Sequence, residues 1–264
     1  MDNLDKSEPI WLRKKEAIST EEYNMLYKNH SKDWEDPLAH IHFSVEGPIE
    51  FTSILFVPRR PPFDMNEANK KNKKIMLYGN NELIMDDCDY LIPEYLGFII
   101  GIVDVKDLSN NTSSSESKID RKILKVLKEN IIEKCLELFQ TITDQAENFK
   151  KFYEAFGKSI KLGIIEDEVN RKKLTELLRF YSSKSGEVMI SLKDYLGRNN
   201  GLKQIFYIIG ESIKQVSQSP YVEQLKIKGI EVLYLFDSID EKIMLELNKY
   251  QYFTIVNCSK KEEK

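Results

Sequence analysis

Residues 31–64 read SKDWEDPLAHIHFSVEGPIEFTSILFVPRRPPFD, and the fold is decided here. Two apolar runs, His42 to Val45 and Phe51 to Val57, flank Glu46-Gly47-Pro48. Gly47 can take a positive φ, while Pro48 fixes φ and lacks an N–H, so the chain turns between the runs. The second run stops at Pro58, ahead of the pair Pro61-Pro62. This pattern predicts two strands joined by a short loop. Trp34 stands just before the first strand and Phe63 just after the second, so both rings flank the strands.

Upstream, Ser19 with Glu22 three residues later makes a capping box, predicting a short helix with Tyr23, Leu26 and Tyr27 on one side. Downstream, Asn66 to Lys74 reads as a solvated, lysine-rich hairpin loop. Ile75 to Tyr78 is a third strand, and Phe98 to Val103 an apolar run buried on both faces. Ser109 to Asp120, rich in serine and asparagine, reads as a mobile surface loop.

Lys122 to Ile142 carries apolar residues at helical spacing. A second helix is predicted over Ala146 to Phe156, with Gly157 as its C-cap, and a third over Asp167 to Ser182. Ser191 to Leu196 begins a further short helix. From Gln204 the pattern alternates. Strands over Gln204–Ile209, Glu231–Phe236 and Phe253–Val256 are separated by helices over Ser212–Ser217, from Pro220, and over Asp240–Asn248. Such alternation implies a small parallel sheet. The predicted class is α/β. A larger module spans 1–159, a helical connector 160–199, and a smaller three-layer αβα module 200–264.

Hydrophobic residues make up 41% of the 264-residue chain and charged residues 31%, enough for a core and a solvated surface. The net charge of −4 argues against a general nucleic-acid binder. The longest apolar run, Leu96 to Val103, is far short of the roughly 18 residues of a membrane span. The opening MDNLDKSEPIW has no secretory apolar core. Cys88, Cys135 and Cys258 are scattered with no CxxC, so a reduced, cytoplasmic protein is expected.

His40 and His42 share a strand face but lack a third ligand cluster, so they read as an ordinary strand pair and no metal is expected. Asp86, Asp87 and Asp89 read as a solvated acidic turn. Gly157-Lys158-Ser159 imitates the end of a P-loop, but Phe152 stands where that motif needs glycine. No acid, base or nucleophile constellation supports an independent small-molecule enzyme.

DWEDPL, HFSVEG and ILFVPRRPPFD together resemble the middle segment of the ninety-kilodalton heat-shock chaperone family, and the first two look most like its cytosolic branch. The resemblance continues through Leu91–Leu96, Gly101–Asp104, Phe149–Tyr153, Ile160–Gly163, Leu177–Phe180, Ile205–Ser212 and Glu231–Leu235. It implies a segment that binds client proteins and cochaperones, with Trp34 and Phe63 as contact residues. It also implies a longer parent: an N-terminal ATPase domain that binds ATP and Mg, and a C-terminal domain that makes a homodimer. The isolated segment is then expected to be a monomer that does not hydrolyse ATP alone.

In the family a loop of this segment reaches the ATP site, where an arginine stabilises charge on the transferred phosphoryl group. That loop maps onto Ser109 to Asp120, which holds no arginine. Lys118 and Arg121 are the nearby cations and the candidate catalytic residues. A second departure is Gly79-Asn80-Asn81-Glu82-Leu83, where the family has two basic residues and a hydrophobic one. The other reading is a client-binding scaffold, independent of ATP, that has lost the γ-phosphate contact.

Overall fold

A computed structural model describes residues 8–61, 75–106, 120–199 and 201–259. Lys118 and Phe63, like most of the loop 109–120 and the lysine-rich stretch, lie outside the described residues. The chain is mixed α/β and forms two compact units, residues 1–156 and 157–264.

In the first unit, helix α1 (Thr20–Ser31) starts at the expected capping box. Glu22 N–H donates to Ser19 Oγ at 3.3 Å, and Ser19 N–H donates to the Glu22 carboxylate at 2.9 Å. Its buried face, Tyr23, Leu26 and Tyr27, packs with Ile54, Phe56, Ile100 and Ile102 of the sheet. The strands are β1 (Ala39–Val45), β2 (Phe51–Val57), β3 (Ile75–Gly79), β4 (Glu82–Met85) and β5 (Ile100–Val105), in the order β1-β2-β5-β3-β4. Within that order β3 runs parallel to β5 and the other pairs are antiparallel. Both β2 and β5 are buried along their whole length, which is why they read as continuous apolar runs. At Gly101 a Cβ would lie 2.7 Å from the Ile54 carbonyl oxygen, so only glycine fits beside β2.

The short edge strand β4 escaped the sequence reading because Leu83 and Ile84 are exposed and offer no alternating pattern. Its signal was the dipeptide Asn80-Asn81, a two-residue hairpin turn with φ 51° and 69°.

Two helices follow, α2 (Arg121–Thr143) and α3 (Ala146–Glu166). Phe139 of α2 and Phe152 and Phe156 of α3 gather around Phe98. The expected stop at Gly157 is corrected: α3 runs on to Glu166. Buried Ile160 and Ile164 continue the stripe of Phe152 and Phe156 at helical spacing. That burial outweighs the roughly 1 kcal/mol that one helical glycine costs.

The second unit holds α4 (Arg171–Glu176), β6 (Tyr181–Ser182), α5 (Leu192–Gly197), β7 (Gln204–Ile209), α6 (Ile213–Ser217) and α7 (Pro220–Ile227). Then come β8 (Val232–Leu235), α8 (Asp240–Leu247), β9 (Lys249–Tyr250) and β10 (Phe253–Asn257). The sheet order is β6-β8-β7-β10-β9, with β7 parallel to both β8 and β10. Val216 and Val222 of α6 and α7 pack on Ile208, Val232 and Tyr234. Tyr207 points to the opposite face, where Glu241 of α8 raises its phenol after burial does.

The helix expected over Asp167 to Ser182 is also corrected. Asp167 caps a turn by accepting from Asn170 N–H at 3.0 Å, and α4 ends at Glu176. Phe180 bridges to Ile190, and β6 joins the sheet beside β8. Residues 160–199, read above as a connector, thus lie inside the second unit and give its sheet an edge strand.

Candidate functional site

Trp34 is 70% exposed and sits on the loop that joins α1 to β1. The loop is fixed at many points. Lys32 ends α1 in the left-handed region at φ 56°. Asp33 N–H donates to Ser31 Oγ at 3.0 Å, and Glu35 N–H donates to Asp33 Oδ1 at 3.2 Å. Arg60, just past β2, places its guanidinium 4.8 Å from the Trp34 ring centre. The same group pairs with Asp33 at 2.9 Å and Glu35 at 3.8 Å. Lys28 of α1 pairs with Asp36 at 2.7 Å, and Arg59 donates to the Asp36 carbonyl at 3.1 Å.

Burial pushes the Asp33 carboxyl up, but the Glu35 N–H, the Arg60 guanidinium and the Tyr27 hydroxyl together hold it below its ordinary value. Asp33 therefore stays ionised and keeps Arg60 against the indole. The result is an aromatic ring presented to solvent on an ordered support, with a cation stacked on one face. Such a group can anchor a partner's apolar side chain at low entropic cost.

Arg121 is the first residue of α2 and is exposed. Asp120 caps that helix by accepting from Lys122 N–H at 2.9 Å. At the end of β5, where the chain departs toward the loop 109–120, Asp104 is buried. It accepts from the Trp11 indole N–H at 2.8 Å and from Asn81 N–H at 3.4 Å. Asn80 N–H donates to the Val105 carbonyl at 3.2 Å. The asparagine turn is thereby fastened to the strand that launches the loop. Sequence reasoning missed this anchor, although Trp11, the Asn-Asn pair and Asp104 were all visible as residue types.

His42 is clamped between the Tyr23 hydroxyl at 2.8 Å and the Trp11 carbonyl at 3.0 Å. The carbonyl only accepts, so Nε2 carries the proton and Nδ1 accepts from Tyr23. His40 stacks on Tyr23 with ring centres 4.2 Å apart. Burial, then the neighbouring His42, lowers the His40 imidazole; burial likewise lowers His42. Among the described residues no group of three His, Cys, Asp or Glu could hold a metal ion. None of the described helices is long and apolar enough to cross a membrane.

A buried ion cluster in the second unit was also missed. Lys161 pairs with Asp237 at 2.5 Å and Asp240 at 2.7 Å, tying the end of α3 to the start of α8. Burial raises the Asp240 carboxyl despite the lysine. Lysine inside an apolar helical stripe gave no signal that two distant aspartates would meet it.

These features define a mixed α/β segment with an ordered aromatic platform, a form suited to contacting other proteins. The chain belongs to the Hsp90 protein family, whose model matches residues 1–264. It is 50% identical to Heat shock protein 83 of Leishmania donovani over 248 residues, covering 94% of this chain and 55% of that protein. It is 40% identical to the chloroplastic Heat shock protein 90-5 of Arabidopsis thaliana over 265 residues, covering 98% of this chain and 34% of that protein. The solved middle domain of a Plasmodium falciparum heat shock protein superposes with a TM-score of 0.85 at 32% identity, covering 96% of this chain and all of that one. The chain thus spans about half, or less, of the length of these curated relatives. They include organellar and bacterial proteins.

Proposed function

We propose that this chain is the middle segment of an ATP-dependent chaperone of the cytosolic branch. It binds client proteins and cochaperones and lends the loop 109–120 to the ATP site of the parent's N-terminal domain. ATP and Mg belong to that domain, and the parent is a homodimer. Lys118 and Arg121 are the cations of the loop region that can face a phosphoryl group. Lysine supplies charge there without the bidentate fork of arginine.

The observation that carries the reading is Trp34, exposed yet held by Arg60 and Asp33. An aromatic ring so placed is worth far more to a partner than to the fold. Replacing it tests that directly. Trp34→Ala is expected to leave thermal stability within about 0.5 kcal/mol. It is expected to weaken suppression of aggregation of a denatured test protein about threefold or more. Unchanged suppression, with the fold intact by circular dichroism, removes Trp34 from the contact surface.

A further inference from the structure

Ahead of α1, in the first unit, lie two short 3-10 helices, Ile10–Leu12 and Lys15–Ala17. Neither holds a fully buried residue, and Lys14 to Ala17 are exposed. Their backbone bonds are local. Leu12 N–H donates to the Pro9 carbonyl at 3.0 Å, and Arg13 N–H donates to the Ile10 carbonyl at 3.2 Å. A segment with so little burial opens at a lower free energy than the strands beneath it.

Trp11 pins this segment to the sheet. Half-buried, it packs with Ile10 against the cluster of Ile54, Phe56, Ile100 and Ile102. Its ring centre lies 4.8 Å from that of Tyr78 on β3. The indole N–H donates to Asp104 Oδ2 of β5 at 2.8 Å, and the Trp11 carbonyl accepts from His42 Nε2 of β1 at 3.0 Å. One residue thus touches three strands. Arg13 adds an ion pair with Glu22 of α1 at 2.8 Å.

Asp104 is the junction. It is 3% exposed, and its two oxygens serve different segments. Oδ2 holds Trp11, while Oδ1 accepts from Asn81 N–H at 3.4 Å. Asn80 N–H donates to the Val105 carbonyl at 3.2 Å, so the same turn is tied to the end of β5. A buried acceptor that loses its donor is costly, so the carboxylate turns toward a new partner when Trp11 leaves. That movement takes Oδ1 off the turn. We propose that residues 9–13 are a strap that detaches while the sheet stays folded, and that its docking orders the Asn80-Asn81 turn and the end of β5. On the proposed function, the chain ahead of the strap comes from the N-terminal domain, so a pull there reaches the root of the loop 109–120 through one carboxylate. That consequence rests on the proposed function; the strap and its coupling to the turn do not.

The test is residue-resolved amide hydrogen exchange on the full 264-residue chain. In the unaltered protein, Leu12 and Arg13 are expected to exchange about tenfold or more faster than Ile54 and Ile102, and with a smaller dependence on urea. Trp11→Phe keeps a ring against Tyr78 and removes the N–H that Asp104 accepts. It is expected to speed exchange at Asn80 and Asn81 about fivefold, although neither amide bonds to Trp11, while Ile54 and Ile102 keep their protection. Strap amides that share the protection and urea dependence of Ile54 would overturn the proposal, whatever the variant does. Faster exchange confined to the strap in Trp11→Phe, with Asn80 and Asn81 unchanged, would overturn the coupling.

Discussion

At the scale of single residues, charge and hydrogen bonding decide what the histidines do. Burial holds His40 and His42 below their ordinary value of 6.5, so the unfolded chain binds protons that the folded chain refuses. Their contribution to stability is complete above 6.5 and is lost as pH falls toward the depressed folded values. Protonating Nδ1 of His42 would also turn the Tyr23 hydroxyl from donor to acceptor. The urea midpoint is therefore expected to fall between about pH 7 and about pH 5, and to fall less in the double variant His40→Gln/His42→Gln. Equal slopes in the two proteins would mean that these histidines do not set the pH dependence. The pairing of these histidines on one strand face was readable from their spacing. Their clamp was not, because Trp11 lies 31 residues away in sequence.

At the scale of elements, close approach governs the first sheet. Gly101→Ala would push a Cβ to 2.7 Å from backbone and side-chain atoms of β2. The expected loss is about 2 kcal/mol, read as a lower denaturation midpoint with unchanged slope. A neutral outcome would mean that β2 and β5 separate more easily than their burial suggests. Strands β2, β3 and β7 were legible because β-branched and aromatic runs ended at turn residues or loops. Strands β4, β6 and β9 were not, since short edge strands bury too little to leave a pattern. The ends of α3 and α4 were misread for a related reason: tertiary burial carried one helix through a glycine, and sheet pairing cut the other short. The family itself was legible in long ungapped motifs, while the buried Lys161 cluster depends on contacts that only folding makes.

At the scale of the molecule, the proposed function makes the chain one working part of a longer protein. Alone, it is expected to sediment as a monomer at all concentrations tested, because the proposed function assigns the dimer contact to another domain of the parent. A concentration-independent dimer would contradict that. The proposed role of the segment in that parent is to complete an ATP site through the loop 109–120, with Lys118 or Arg121 as the cation that faces the phosphoryl group. Steady-state ATP hydrolysis of the full-length parent, beside Lys118→Ala and Arg121→Ala, decides this. The parent is expected to turn over ATP, with one of the two substitutions lowering the rate about tenfold. Brisk turnover untouched by either substitution would contradict it, as would a parent that binds clients but does not hydrolyse ATP.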